Sequence, residues 1–266
     1  MRATANTTCF SFCHRGPLDL AGADSEGLGM AEPKPRTRKA APRVSASGVV
    51  VFPPDPDRVE AIFARLAAIM PEPKTELHFH DAYTLTVAVA LSAQATDVAV
   101  NKATQKLFAV ADTPAKILAL GEAGLTPFIA SIGLYRNKAR NVIALSRIVL
   151  EQHGGKVPLN RADLQALPGV GRKTASVVLN ELGIEPAIAV DTHVFRVSHR
   201  LGLANAATPD KVEAQLHRIV PEAYLAKAHH WLILHGRYTC TARKPHCGGC
   251  PVADLCPSRA GLMMAG

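Results

Sequence analysis

From Asp55 onward, apolar residues recur at helical spacing and the intervals between them carry helix-end chemistry. In DRVEAIFARLAAIM the spacing puts Ile62, Phe63, Leu66 and Ile69 on one face, and Pro71 ends the run. Thr113 before Pro114, and Thr208 before Pro209, each pair a capping oxygen with a residue whose missing N–H costs nothing at the first helical position. RNKARNVIALSRIVLEQHGG closes at Gly154, RKTASVVLNELG closes at Gly183, and Asn160 caps NRADLQAL. The pattern predicts short helices joined by brief loops. One stretch is ambiguous: YTLTVAVALSA, residues 83–93, has the β-branched composition of a strand. With no partner strands evident, it reads as a buried helix.

Residues 1–53 lack this periodicity and are rich in Ala, Pro, Gly and basic residues, notably PKPRTRKAAPR from Pro33 to Arg43. They read as a disordered, solvated leader. Two functional alternatives are a tether to nucleic acid and a metal site at Cys9, Cys13 and His14; Met30 is an alternative start. The chain carries 30 Lys and Arg against 22 Asp and Glu, a net charge of +8, of which the leader supplies only +3. The excess favours a polyanionic partner. No apolar run approaches bilayer length, and the N-terminus lacks the apolar stretch of a secretory signal, so a soluble protein of a reducing compartment is expected.

Cys240, Cys247, Cys250 and Cys256 follow the spacing C-x6-C-x2-C-x5-C. Four thiolates so close can surround one metal centre, whereas a disulfide framework is unusual in an intracellular chain of this size. Zinc sites usually pair two short knuckles, and only one short pair is present; a cubane iron-sulfur cluster tolerates unequal spacing. The spacing leaves both open. Either way the centre is a staple, because four thiolates leave no open position for substrate. Arg243 and Lys244 lie between the first two cysteines, where a metal-ordered loop would present them to phosphate.

LPGVGRKTA, residues 167–175, looks first like a nucleotide loop. The P-loop pattern requires Gly directly before Lys, where Arg172 stands; the dinucleotide pattern requires Gly at Thr174 and a preceding strand. What remains is a hairpin, Gly169-Val170-Gly171, whose backbone donors at a helix start suit one phosphate of any DNA sequence. Lys173 falls in the first turn of the following helix, where the helix dipole and Arg172 disfavour its charge and favour the nucleophilic amine. Phosphate contact is the alternative. Asp191, in IAVDTHVFRV, reads as a helix N-cap whose fixed charge also suits an oxocarbenium-like sugar.

Taken in order, LSAQATD at 91–97, IGLY at 132–135, LPGVGRKTA, VDTHVFRV, HHWLILHGRYTC and the four cysteines make the chain resemble the endonuclease III family, from about Asp55 to Ser258. These are bifunctional DNA glycosylases and abasic-site lyases of the helix-hairpin-helix superfamily. The resemblance implies a [4Fe-4S] cluster on Cys240, Cys247, Cys250 and Cys256. It implies Lys173 as nucleophile, Asp191 as catalytic carboxylate, and Gln94 and Leu134 as the residues that wedge into DNA. Gly169, Gly171, Arg172, Arg243 and Lys244 are further candidates for DNA contact. The implied fold is all-α and two-lobed, with a six-helix barrel over 75–185, a cluster domain from 54–74 and 186–258, the leader over 1–53 and a tail at 259–266. The partner would be duplex DNA carrying a damaged base or abasic site, bound by a cytoplasmic monomer that removes oxidised pyrimidines. Adenine-mismatch glycosylases of the same superfamily generally lack the hairpin lysine and carry an extra C-terminal domain. A non-catalytic iron-sulfur DNA-binding protein would not need Lys173 with Asp191. His229, His230 and His235 share a helix without a pair four apart, so packing or DNA contact is expected of them rather than a metal. A helix-entry or surface role is expected of His78 and His80, and a core position of Trp231.

Overall fold

The structure, a computed structural model, describes residues 52–264, and among these every regular element is helical. The expected leader, including Cys9, Cys13 and His14, lies outside the described residues except for Phe52 and Pro53. Eleven α-helices follow in order: α1 (Pro56–Ile69), α2 (Ala82–Ser92), α3 (Asp97–Phe108), α4 (Pro114–Ile129), α5 (Tyr135–Gln152), α6 (Arg161–Ala166), α7 (Arg172–Glu181), α8 (Thr192–Arg200), α9 (Pro209–Ile219), α10 (Glu222–Tyr238) and α11 (Arg259–Met264). Two short 3-10 turns, Cys247–Gly249 and Ala253–Leu255, lie between α10 and α11. Residues 259–264, assigned to a tail from sequence, thus form α11.

Helix starts are locally determined. Asp55, Thr96, Thr113 and Asn160 each accept an N–H of the first turn, and Asp81 with Thr84 forms a reciprocal capping box ahead of α2. Thr208 stands at the start of α9 without a side-chain cap. At the end of α7, Gly183 at φ +66° lets its own N–H reach Asn180 and the Ile184 N–H reach Leu179, so the last carbonyls are satisfied. The ambiguous 83–93 stretch is helical, and Tyr83 through Leu91 are all buried. The Tyr83 hydroxyl meets Ser146 of α5 at 2.6 Å, which pairs the polar atom inside that core.

Two clusters of buried side chains form separate cores. One gathers Leu85, Leu91, Leu107, Leu145, Leu164 and Leu179 of α2 to α7. The other joins Ile62, Phe63 and Leu66 of α1 to Val194 and Val197 of α8, Leu216 of α9 and Trp231 of α10. Ile69 departs from the expected apolar face and is 63% exposed. It is the last residue of α1, and the chain turns off at Met70, whose carbonyl accepts the Trp231 indole N–H at 2.8 Å. Within the second core α8 and α10 cross closely at Gly236, where an added Cβ would come within 2.9 Å of His193.

Candidate functional site

The segment LPGVGRKTA folds as the end of α6, a turn over Leu167–Gly171 and the start of α7. Gly169 has φ +81°, and a Cβ there would meet Asn141 of α5 at 3.1 Å, so glycine both makes the turn and lets it lie against α5. The buried Val170 donates its N–H to Leu167 at 3.0 Å and fixes the tip. Gly171 is the N-cap of α7 and brings no side chain to cap it, which leaves first-turn N–H groups directed at whatever anion approaches. Lys173 is exposed in that first turn. Asp191 is the N-cap of α8 and accepts the Val194 N–H at 2.7 Å through Oδ1.

Lys173, Asp191 and Gln94 line one cavity of about 480 Å³ between α7, α10 and the chain on either side of α2. Its α7 wall is Lys173, Val177 and Glu181, four residues apart on one helix face; its α10 wall is His229, Ile233 and Arg237, spaced the same way. His229 is buried. Burial, with the charges of His230 and Lys173, pushes its pKa down to about 3, against the opposing influence of Asp191. The imidazole is therefore neutral near pH 7. Lys173, Asp191 and His229 all line this cavity. Beside His229, His230 Nε2 pairs with Glu181 Oε1, both side chains being nearly out of solvent. Arg237 joins Glu76 to Asp97, the residue that opens α3 three positions after Gln94. Sequence reasoning missed Glu181, Glu76, Asp97 and Arg237, whose partners are remote in the chain.

Gln94 and Leu134 have φ +55° and +59°, and among the described residues they are the only non-glycine residues at positive φ. Bulky side chains rarely adopt this conformation, and where they do the surroundings hold it in place. A Cβ on Gly133 would lie 3.7 Å from the Gln94 carbonyl, so the two loops abut. Both residues are exposed, Leu134 by 58%. Arg172 points its Nη2 at Glu213 of α9, 3.3 Å away. Arg243 and Lys244 are exposed on the loop after Cys240 and do not line the cavity.

Cys240, Cys247, Cys250 and Cys256 line a second, small apolar cavity together with His235, and none is in a disulfide. Burial pushes the Cys250 and Cys256 thiols up, so four thiolates here require a positive centre between them. Among the described residues no three His, Cys, Asp or Glu donors are placed to hold a single metal ion. Four sulfurs around a shared cavity, too spread for one tetrahedral ion, suit a polynuclear iron-sulfur centre with wider corners. Arginines hold the loop. Arg200 donates to Thr241 O at 2.7 Å, Ala242 O at 2.9 Å and Cys240 Sγ at 3.4 Å, and Arg196 donates to Cys240 O at 3.2 Å. Arg58, buried in α1, donates to Leu201 O at 2.7 Å, Gly202 O at 3.0 Å and Leu255 O at 3.1 Å.

Residues 87–222 match the HhH-GPD superfamily base excision DNA repair protein, and residues 240–256 match the iron-sulfur binding domain of endonuclease III. Endonuclease III of Escherichia coli (strain K12) is 56% identical over 195 residues, which cover 73% of this chain and 92% of that protein. Endonuclease III of Treponema pallidum (strain Nichols) is 53% identical over 203 residues, 76% of this chain and 96% of its own. The solved structure of a trapped endonuclease III–DNA covalent intermediate, an estranged-adenine complex, is similar with a TM-score of 0.74 at 41% identity, over 79% of this chain and 99% of that one.

Proposed function

The chain belongs to the endonuclease III family of the HhH-GPD superfamily, and from that premise we propose the part each of its residues takes. The protein is a DNA glycosylase and abasic-site lyase of base excision repair that acts as a monomer on duplex DNA, removes oxidised pyrimidines and carries a [4Fe-4S] cluster. Its relatives are bacterial and act on DNA, which supports a cytoplasmic location. No helix among the described residues is long and apolar enough to cross a membrane. We assign residues 75–185 to a barrel domain and residues 54–74 with 186–258 to a cluster domain; the two separate cores support that division.

A base inside a duplex shields C1′, so the nucleotide must leave the stack, and Gln94 and Leu134 fill the gap. Gly169, Gly171 and Arg172 grip a phosphate, Arg172 through N–H groups beyond the one facing Glu213, while Arg243 and Lys244 contact the backbone from the cysteine loop. Lys173 Nζ attacks C1′ as the base departs with the bonding pair. The lysine proton passes to Asp191 or water, and the base takes up a proton. Opening of the sugar at the C1′–O4′ bond leaves an iminium between Lys173 and C1′. That cation acidifies C2′–H; loss of this proton forms a C2′=C3′ double bond and expels the 3′ phosphate. Water then releases Lys173. Asp191, anchored by the Val194 N–H, offsets the positive charge that builds on the sugar. The [4Fe-4S] cluster, when bound to the four cysteines, supplies a staple for the DNA-facing loop, since four thiolates leave it no substrate position.

The observation that carries this reading is the shared cavity of Lys173, Asp191 and Gln94. Borohydride should trap the protein on damaged duplex, and Lys173→Gln should lose the adduct while still binding DNA. Adduct formation by that variant would remove Lys173 as nucleophile. For Asp191→Asn, turnover should fall about 100-fold with a much smaller loss of affinity; normal turnover would leave Asp191 only its capping role.

A further inference from the structure

The sugar chemistry uses Lys173 and Asp191, yet the same cavity is lined by two further polar side chains, Glu181 and His229, that it leaves unused. His229 Nδ1 is out of solvent without a hydrogen-bond partner, and the ring lines the cavity. Glu181 Oε1 is held against His230 Nε2, which leaves the second carboxylate oxygen to accept from a ligand. A carboxylate and an imidazole that line one cavity are suited to a ligand that brings donors, because a ligand lacking them would leave both groups unpaired.

Geometry says which part of the ligand. Glu181 lies two turns along α7 from Lys173, about 12 Å of helix axis, and the two side chains share one face of that helix. With C1′ held at Lys173 near the exposed start of α7, a nucleobase would extend inward toward Glu181 and His229. A pyrimidine offers N3–H as a donor, and a base oxidised across C5 and C6 adds two hydroxyls. An apolar floor would bind each of these poorly.

We infer that Glu181 and His229 form the base-reading floor of this cavity, accepting the N–H and O–H donors of a flipped pyrimidine, with His230 positioning the Glu181 carboxylate. This rests on the proposed placement of the sugar at Lys173 and Asp191. The floor favours hydroxylated pyrimidines over merely reduced ones, which present N3–H alone.

The test measures single-turnover excision of thymine glycol and of dihydrothymine from otherwise identical duplexes, together with strand scission at an abasic site, all with the cluster bound. Glu181→Met keeps the side-chain length and removes the acceptor; Glu181→Gln keeps an amide oxygen without the charge. The ratio of thymine glycol to dihydrothymine excision should fall about 10-fold in Glu181→Met and less in Glu181→Gln. Both excision rates should fall relative to abasic-site scission, which involves no base. A ratio unmoved in both variants overturns the inference, because a pair that only packs would shift stability and all three rates together. Should Glu181→Met fail to fold, seen as loss of abasic-site scission as well, the ratio in Glu181→Gln decides alone. Lys173→Gln is run alongside: trapping that persists there overturns the Schiff-base reading, whereas trapping lost there with an unmoved Glu181 ratio overturns only the base-reading floor.

Discussion

The core over α2 to α7 closes through aliphatic side chains such as Leu85, Leu91, Leu145 and Leu164, whereas the region around α8, α10 and the cysteines leans on arginines that donate to main-chain carbonyls. The reason lies in the backbone. Regular helices satisfy their own N–H and C=O groups, so packing α2 against α7 asks only for apolar surface. Residues 240–258 form no more than two 3-10 turns, and their carbonyls need donors from outside the segment. Arg58, Arg65, Arg196 and Arg200 provide them: Arg65 reaches Pro251 O at 3.1 Å, and the others clamp both ends of the loop. A guanidinium suits this task because its rigid fork serves several carbonyls at once. The helices are therefore stabilised mainly by burial, the cysteine loop by a polar scaffold of arginines.

That contrast can be broken from either side. The largest effect should come from Cys250→Ser, which removes a thiolate from the centre: visible cluster absorbance should vanish and proteases should cut within 240–258, with the barrel core remaining resistant. A loop that stays protected without its cluster would show that the arginines suffice. Next, Arg58→Met strips the donor from three buried carbonyls and should cost about 4 kcal/mol in urea unfolding. Leu85→Ala, wholly within the aliphatic core, should cost about 3 kcal/mol and leave cluster absorbance intact; a loss of the cluster in that variant would mean that the two regions are one cooperative unit. The smallest effect concerns acid. His229 stays neutral in the folded chain with its pKa held at about 3, while an unfolded histidine takes up a proton below about 6.5. The unfolded state then binds more protons, so the contribution is complete above pH 6.5 and declines as the pH falls toward 3. Between pH 7 and pH 5 the loss should be about 2 kcal/mol. His229→Gln should flatten this acid limb, and an unaltered slope would place the sensitivity elsewhere.

Legibility in the sequence followed the range of the interactions. Asp55, Asn160 and Asp191 announce helix starts because a cap needs only its next few neighbours. The cysteine spacing and LPGVGRKTA were legible for the same reason: each site is built from a contiguous segment. Arg58 gave no signal, since it occupies an ordinary polar position in DRVEAIF and the carbonyls it serves lie 143 to 197 residues away. Glu181 and His230 meet only because α7 and α10 face each other across the cavity, and neither helix encodes that approach alone. Arg172 stood out as a phosphate contact, but its pairing with Glu213 depends on where α9 packs. Ile69 fitted the apolar face by periodicity and is exposed because its helix ends there.

Gln94 and Leu134 hold left-handed backbone angles, and the loops that carry them abut. With the wedge roles proposed for them, this has a kinetic meaning. A repair protein passes great numbers of sound base pairs for each damaged one, and the time spent at every pair multiplies across the genome. Loop ordering takes nanoseconds to microseconds and would add to each stop. Wedges braced by abutting loops remove that delay, and the dwell at a base pair is then set by how readily the DNA itself unstacks. Damage would be sensed as mechanical weakness first, and only a nucleotide that yields would go on to be examined chemically in the cavity.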